Sequence, residues 1–179
     1  MGGKIAWFFH MSSYYICWIA CIYFAAHHQP FTGPIITLLF LAAQIFWQSI
    51  DQKPYRAALY FAIGLTVLGS ITDAIWLYSG ALYFNSNPFG AYFSPPWMIS
   101  LWLSFGFNII ILYEKWLHYY FIWSISILLS IPFAYWVGVE SGAAVLLASY
   151  QFYLYLGMLW ALLLPLSLYI FKLLNKGHL

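Results

Sequence analysis

The chain has 179 residues, of which 65% are hydrophobic and only 6% are charged. About a quarter of the residues of a soluble domain are charged, so this composition excludes a soluble fold and predicts a polytopic membrane protein. The net charge of +2 is not gathered into a basic run, which argues against nucleic-acid binding.

Six apolar segments are long enough to cross a bilayer core of about 30 Å. The sequences between them contain the prolines, glycines and polar residues that are typical of loops. The predicted fold is therefore an all-α integral membrane protein, one transmembrane domain with a bundle of six helices. No internal repeat is identified, and residues 141–149 are predicted to lie at the outer interface or to dip into it. The predicted spans are about 5–26, 34–50, 57–77, 96–113, 117–137 and 151–174.

The positive charges predict the orientation of these spans. If the N-terminus is cytoplasmic, every lysine and arginine falls on the cytoplasmic side, as the positive-inside rule requires. Both termini are therefore predicted to be cytoplasmic, and the loops 27–33 and 85–94 to lie outside. The residues used are Lys4, Lys53, Arg56, Lys115, Lys172 and Lys176.

The first span carries two cysteines, Cys17 and Cys21, and one histidine, His10. The cysteines are four residues apart and share one helix face, but no further ligand lies near them in the sequence. They are interpreted as small buried apolar residues, and His10, near the inner boundary, as a snorkelling or hydrogen-bonded group and not a ligand. No metal site and no cofactor are predicted.

Amide side chains occur near the middle of two other spans. Gln44 and Gln48 lie in the second span and Asn108 lies in the fourth. An amide without a partner is costly in lipid, so these groups are expected to bond across helices or to the backbone. A direct bond between Gln44 and Asn108 is the specific expectation.

Asp73 is the acidic or basic residue that lies deepest in any predicted span. It follows Arg56 by seventeen residues, or about 25 Å of helix, which puts it in the outer third of the membrane. An ionisable group at this depth is expected to face the bundle interior and indicates a functional site. We expect its carboxylate to face the fourth span near Trp97 or Trp102 and to accept hydrogen bonds from Trp or Tyr.

A series of short motifs runs from the third span to the sixth. Glycine precedes Asp73 by four residues, Pro-Trp-Met precedes Leu-Trp-x-x-Phe, and Pro-x-Ala-Tyr and Trp-Ala-x-x-x-Pro follow. This ordered set resembles the bacterial inner-membrane family called domain of unknown function 2878. The matching positions are Gly69, Asp73, Gly80, Pro96, Trp97, Met98, Leu101, Trp102, Phe105, Asn108, Pro132, Ala134, Tyr135, Gly138, Trp160, Ala161 and Pro165.

The resemblance implies a multi-pass protein of the bacterial inner membrane. It also implies a link to the modification of membrane fatty acids, with membrane or soluble lipid-modifying enzymes as possible partners, but it implies no reaction. The chain departs from the family at Ser130 and Ile131, before Pro132, where a small glycine is common. No catalytic motif is present, so the sequence leaves open whether the chain is an enzyme. It does not define the oligomeric state.

Three functions are compatible with these residues. The first is binding, or helping to modify, a lipid-like apolar molecule in a pocket on the outer-leaflet side. The second is a structural or assembly role without catalysis. The third is a small proton-coupled transporter in which a lone carboxylate exchanges a proton, although no inverted repeat supports it. The predicted ligand-binding residues for the first are Asp73, Trp76, Trp97, Trp102, Asn108 and Tyr135.

Overall fold

The computed structural model of the chain describes residues 2–50, 55–90 and 92–175, with only the backbone for residues 2 and 3. Two cationic residues used to predict the orientation, Lys53 and Lys176, lie outside the described residues. The other four cationic residues are within them.

Six α-helices make up most of the described chain. Each is long and apolar enough to cross a membrane, which confirms the predicted number of spans. The second and third begin two residues before their predicted starts, and the fourth and sixth have their predicted bounds. The helices are α1 (Gly2–Ala26), α2 (Thr32–Ile50), α3 (Tyr55–Tyr78), α4 (Pro96–Tyr113), α5 (Tyr120–Glu140) and α6 (Gln151–Leu174).

The predicted bounds of the fifth span, 117–137, were wrong by three residues at each end. Residues Glu114–Trp116 form a 3-10 turn in which the Leu117 amide donates to the Glu114 carbonyl, so α5 begins only at Tyr120. At its other end, the helix continues to Glu140, three residues beyond the predicted end.

Two short strands add a small sheet that the all-α prediction did not include. Strand β1 (Leu82–Phe84) follows α3, and strand β2 (Ala144–Leu146) follows α5. They pair antiparallel, with Leu82 opposite Leu146 and Phe84 opposite Ala144. We call this side of the bundle the sheet end, and the side with the α4–α5 connection the opposite end. Part of the 141–149 segment therefore belongs to the sheet.

The chain contains an internal repeat that the sequence analysis missed. Ser-Gly-Ala occurs at 79–81 and again 62 residues later at 141–143, each time between a helix and a strand. Gly80 and Gly142 both have positive φ (69° and 80°), and the residue after each donates to a carbonyl five residues earlier. This is the glycine-dependent way of ending a helix. We call residues 55–113 the first repeat and 120–174 the second repeat.

The sheet has an approximate twofold axis, which relates residues 79–85 of the first repeat to residues 141–147 of the second. Tyr83 and Val145, each three residues beyond its turn glycine, are paired at the centre of the register. The flanking bonds also correspond. The Asn85 amide donates to the Ala143 carbonyl, and the Leu147 amide donates to the Ala81 carbonyl. The turn at the helix end and the strand that follows it thus occur twice, and the two copies pair edge to edge in the sheet.

Close packing inside each repeat depends on small residues. Helix α3 packs against α4, and α5 against α6. A Cβ on Gly106 would lie 2.8 Å from the Ala62 Cα, and one on Gly157 would lie 2.6 Å from the Leu128 carbonyl oxygen. Such contact between backbones is the usual basis of helix association in membranes, where there is no hydrophobic force between helices. The α1–α2 hairpin packs against α4, in the first repeat.

Candidate functional site

Asp73 lies close to the sheet end of α3 and is fully buried, with 0% of its surface exposed. It is eighteen residues beyond Tyr55, or about 27 Å along the helix. One turn earlier, a Cβ on Gly69 would overlap the indole ring of Trp102. The glycine therefore lets Trp102 from α4 lie directly against α3, beside the carboxylate. This contact is a physical reason for the Gly-x-x-x-Asp motif.

Three side chains donate hydrogen bonds to the Asp73 carboxylate. The Ser94 hydroxyl and the Trp102 indole N–H both donate to Oδ2 at 3.0 Å, and the Tyr135 hydroxyl donates to Oδ1. The predicted neighbour in the fourth span and the predicted Trp and Tyr donors are confirmed. Among the described residues, none of the hydrogen bonds to this carboxylate comes from a lysine, arginine or histidine. We call Asp73, Ser94, Trp102 and Tyr135 the Asp73 cluster.

The Asp73 cluster joins equivalent positions of the two repeats. Asp73 precedes Gly80 by seven residues, and Tyr135 precedes Gly142 by seven. Their hydrogen bond therefore crosses the approximate twofold axis. Close by, the ring of Trp102 stacks on Trp160 of α6, with centroids 4.3 Å apart and an interplanar angle of 20°. The sequence predicted the types of donor for Asp73. It could not indicate that the tyrosine would come from α5, because the repeat that relates Asp73 to Tyr135 had not been recognised.

A cavity of about 130 Å³ lies beside this cluster at the sheet end. It is bordered by helices α1, α4 and α5 and by both strands. Its walls are almost entirely aromatic and aliphatic. They consist of Tyr14, Trp18, Ile22, Phe84, Trp97, Met98, Leu101, Trp102, Phe105, Ser130, Ile131, Ala134, Tyr135, Gly138 and Ala144.

A larger groove of about 740 Å³ continues from this cavity toward the opposite end, between the same three helices. Five residues border both spaces, namely Tyr14, Trp18, Phe105, Ser130 and Ala134. The larger groove has more polar groups than the cavity, including Asn108, Ser126 and Tyr119. Among the described residues that line either space, none is charged. Because the two spaces share part of their lining, we call them together the lateral path.

The predicted site residues do not all border this path. Trp97, Trp102 and Tyr135 line the sheet-end cavity, and Asn108 lines the larger groove. Asp73 lies behind Trp102 and Tyr135. Trp76 does not border either space, because its ring packs edge-on against Phe152 of α6 at 5.1 Å. Direct ligand contacts by these residues stay predictions.

The predicted amide bond between the second and fourth spans is confirmed. Gln44 Nε2 donates to Asn108 Oδ1 at 2.9 Å, and Asn108 Nδ2 donates to the Ser104 carbonyl at 2.8 Å. Gln48 Nε2 lies 2.7 Å from Nε2 of His10, which is buried and hydrogen-bonded as expected. This polar network ties α1, α2 and α4 together behind the groove.

The two cysteines are free and buried, as predicted. The Cys21 sulfur lies 3.4 Å from the Thr37 hydroxyl and 3.6 Å from the Ser100 hydroxyl, so it bonds to two neighbouring helices. Within residues 2–50, 55–90 and 92–175, no group of three or more His, Cys, Asp and Glu side chains is placed to hold a metal ion.

Comparison with known proteins identifies a family but no activity. No curated protein and no solved structure shows significant similarity to the chain. A family model described as protein of unknown function DUF2878 matches residues 7–166, which include the Asp73 cluster and every residue that lines the lateral path. The match runs from the first span to the sixth and includes every motif that carries the resemblance, and the chain therefore belongs to the DUF2878 family.

Proposed function

We propose that this multi-pass membrane protein binds a lipid-like apolar molecule in the lateral path between α1, α4 and α5. The bacterial inner membrane is the proposed location, and enzymes that modify membrane lipids are the partners that such binding would serve. The proposal keeps the predicted class of ligand but moves most of its volume away from Asp73, toward the opposite end of the bundle.

The single observation that carries the proposal is the size of the larger groove, together with the lining that it shares with the sheet-end cavity. Binding sites for small molecules typically have volumes of about 300–1,000 Å³ and mostly apolar walls with a few polar groups. The larger groove, at about 740 Å³, falls in that range, whereas the sheet-end cavity alone, at about 130 Å³, does not. A ligand is therefore expected to occupy the larger groove and to extend into the cavity.

In this proposal Asp73 is a positioning residue that does not itself touch the ligand. Its carboxylate holds the Trp102 indole and the Tyr135 hydroxyl, and both of these side chains line the sheet-end cavity. Because the two come from different repeats, the bonds fix the width of the cavity between α4 and α5. The aromatic side chains of the cavity wall would then already be ordered before a ligand binds, which lowers the entropic cost of binding.

The test is mass spectrometry of lipids that remain bound after purification in detergent. We expect the native chain to retain a defined lipid species that is enriched over the bulk membrane extract. Ser130→Phe fills the path where the two spaces meet and should abolish that enrichment. Leu129→Phe places the same side chain on the adjacent, 68% exposed face of α5 and should leave the enrichment unchanged. Retention of bulk lipid in bulk proportions by all three proteins would refute the proposal.

A structural or assembly role is the second candidate, and the completeness of the Asp73 cluster favours it. The carboxylate accepts three hydrogen bonds and has no exposed surface, as expected of a group that holds helices together. Under this alternative, no lipid species is enriched, and substitutions in the groove affect only stability. The lipid measurement above therefore separates the two candidates. No comparable observation favours a proton-coupled transporter.

A further inference from the structure

The two ends of the lateral path differ in a way that orients an elongated ligand. The sheet covers the first end, where Leu82, Phe84 and Ala144 are only 1%, 1% and 4% exposed. The nearby Asp73 carboxylate is already bonded and buried. The larger groove toward the opposite end is instead lined by four hydroxyl groups that the sheet-end cavity lacks, those of Tyr15, Tyr113, Tyr119 and Ser126. A polar head is thus better accommodated away from the sheet, and an apolar chain end beneath it.

We propose that the path binds a single straight aliphatic chain whose polar head lies at the opposite end and whose methyl end lies under the sheet. The closed sheet end then limits the length of chain that the protein accepts. This inference rests on the proposed function and adds the ligand's direction and the basis of its selection. The small volume of the sheet-end cavity favours one chain there over two.

The path is long enough to hold a complete fatty chain. Trp97 lines the sheet-end cavity and Tyr113 lines the larger groove, sixteen residues apart on α4, which corresponds to about 24 Å. The bilayer core of about 30 Å is filled by two opposed leaflets, so one fatty chain spans about half of it, and the path is long enough for a complete chain. A chain gains no hydrophobic energy by moving from lipid into the groove, because both are apolar. Selection must therefore come from packing, and a chain too long for the closed end must overpack the site or leave its head displaced.

Gly138 provides a direct way to shorten the path. It lines the sheet-end cavity, and a Cβ at this position would meet no atom within 4 Å. A larger side chain can thus enter the cavity without an initial clash. Ala134, one turn nearer the opposite end, lines both spaces and offers a second position. Gly64 on α3 has the same free space but lies on an exposed face, so it provides a matched control.

The experiment measures competition among straight-chain primary alcohols of about ten to about twenty carbons, a range chosen to bracket the groove length. Occupancy of the purified protein is read by native mass spectrometry. For the native chain we expect a cut-off length beyond which occupancy falls about five- to 150-fold. Gly138→Leu should shorten the cut-off by about four carbons, the number that a leucine side chain introduces into a close-packed site. Ala134→Leu should shorten it further, and Gly64→Leu should leave it unchanged.

Three results would overturn this inference while leaving the proposed function intact. The first is that the native chain shows no cut-off length. The second is that the cut-off length is unchanged in both Gly138→Leu and Ala134→Leu. The third is that Gly138→Leu loses occupancy equally for alcohols of all chain lengths. The last would mean that the head lies at the sheet end. If neither alcohols nor a native lipid species binds, the proposed function fails as well. Thermal unfolding identifies a misfolded variant, and Ala134→Leu then tests the same limit independently of Gly138→Leu.

Discussion

Removing the Asp73 carboxylate tests whether the Asp73 cluster holds the two repeats together. In Asp73→Leu, the Trp102 N–H and the Ser94 and Tyr135 hydroxyls lose their acceptor inside a fully buried site. Hydrogen bonds between membrane helices contribute about 0.6 kcal/mol on average and about 1.7 at most. Three such bonds give an expected loss of about 2 to 5 kcal/mol in the free energy of unfolding.

Asp73→Asn should cost far less, and the reason lies in the arrangement of the donors. An amide oxygen at the Oδ2 position can still accept from Ser94 and Trp102. An amide NH₂ at the Oδ1 position can donate to Tyr135, because a phenol hydroxyl is both a donor and an acceptor. All three hydrogen bonds are kept, and only the bond to Tyr135 changes its direction. We expect a loss below about 1 kcal/mol, within the range of a single hydrogen bond.

The assay is reversible unfolding of the detergent-solubilised protein by titration with a denaturing detergent. Thr66→Val is the control, because the Thr66 hydroxyl bonds only within α3, to the Ala62 carbonyl. It should change stability little. An Asp73→Asn variant as unstable as Asp73→Leu would refute the reasoning, since the negative charge and not the hydrogen-bond geometry would then be required. A stable Asp73→Leu variant would show that the cluster does not hold the repeats together.

Three further predictions use other parts of the fold. Changing Gln44 and Asn108 to leucine together should cost less than the sum of the single changes, since both remove one shared bond; thermal unfolding measures this. Gly69→Ala should destabilise by about 1–3 kcal/mol through overlap with an indole ring. A membrane-impermeant thiol reagent on intact cells should label Phe89→Cys at the sheet end but not Lys115→Cys at the opposite end, because the positive charges predict the sheet end to be outside.

Each of these predictions has an internal control. If the losses in the free energy of unfolding of the two single variants add exactly in the double variant, Gln44 and Asn108 bond to separate partners. Gly64→Ala, which meets no atom within 4 Å, should be neutral where Gly69→Ala is not. The unsubstituted chain is the blank for labelling because Cys17 and Cys21 are both buried. Labelling of Lys115→Cys in intact cells would reverse the predicted orientation.

The sequence predicted those features that depend on one helix and its solvent. The length of each apolar run, compared with the bilayer, was sufficient to find six helices. A buried carboxylate needs hydrogen-bond donors, and the sequence predicted that Trp and Tyr side chains would supply them to Asp73. Depth alone paired Gln44 with Asn108, because both lie near the middle of their spans.

Features that depend on how helices are arranged were not predictable in the same way. Trp76 follows Asp73 by three residues and was expected on the same side. Three residues turn a helix by about 300°, so their side chains diverge by about 60°. At that depth α6 borders α3, and Trp76 packs against Phe152 instead of the lateral path. Strands of three residues are likewise too short to show the alternation that identifies a strand.

The origin of the lateral path follows from the incomplete symmetry of the fold. The sheet and the Asp73–Tyr135 bond join the two repeats at equivalent positions. The α1–α2 hairpin packs on α4, and no counterpart packs on α6 within the described residues. Helix α1 therefore borders α5 across the larger groove. The cluster positions the wall of this groove, whereas the added hairpin creates the space. Stability and ligand binding are thus expected to respond to different residues, as the paired variants are designed to show.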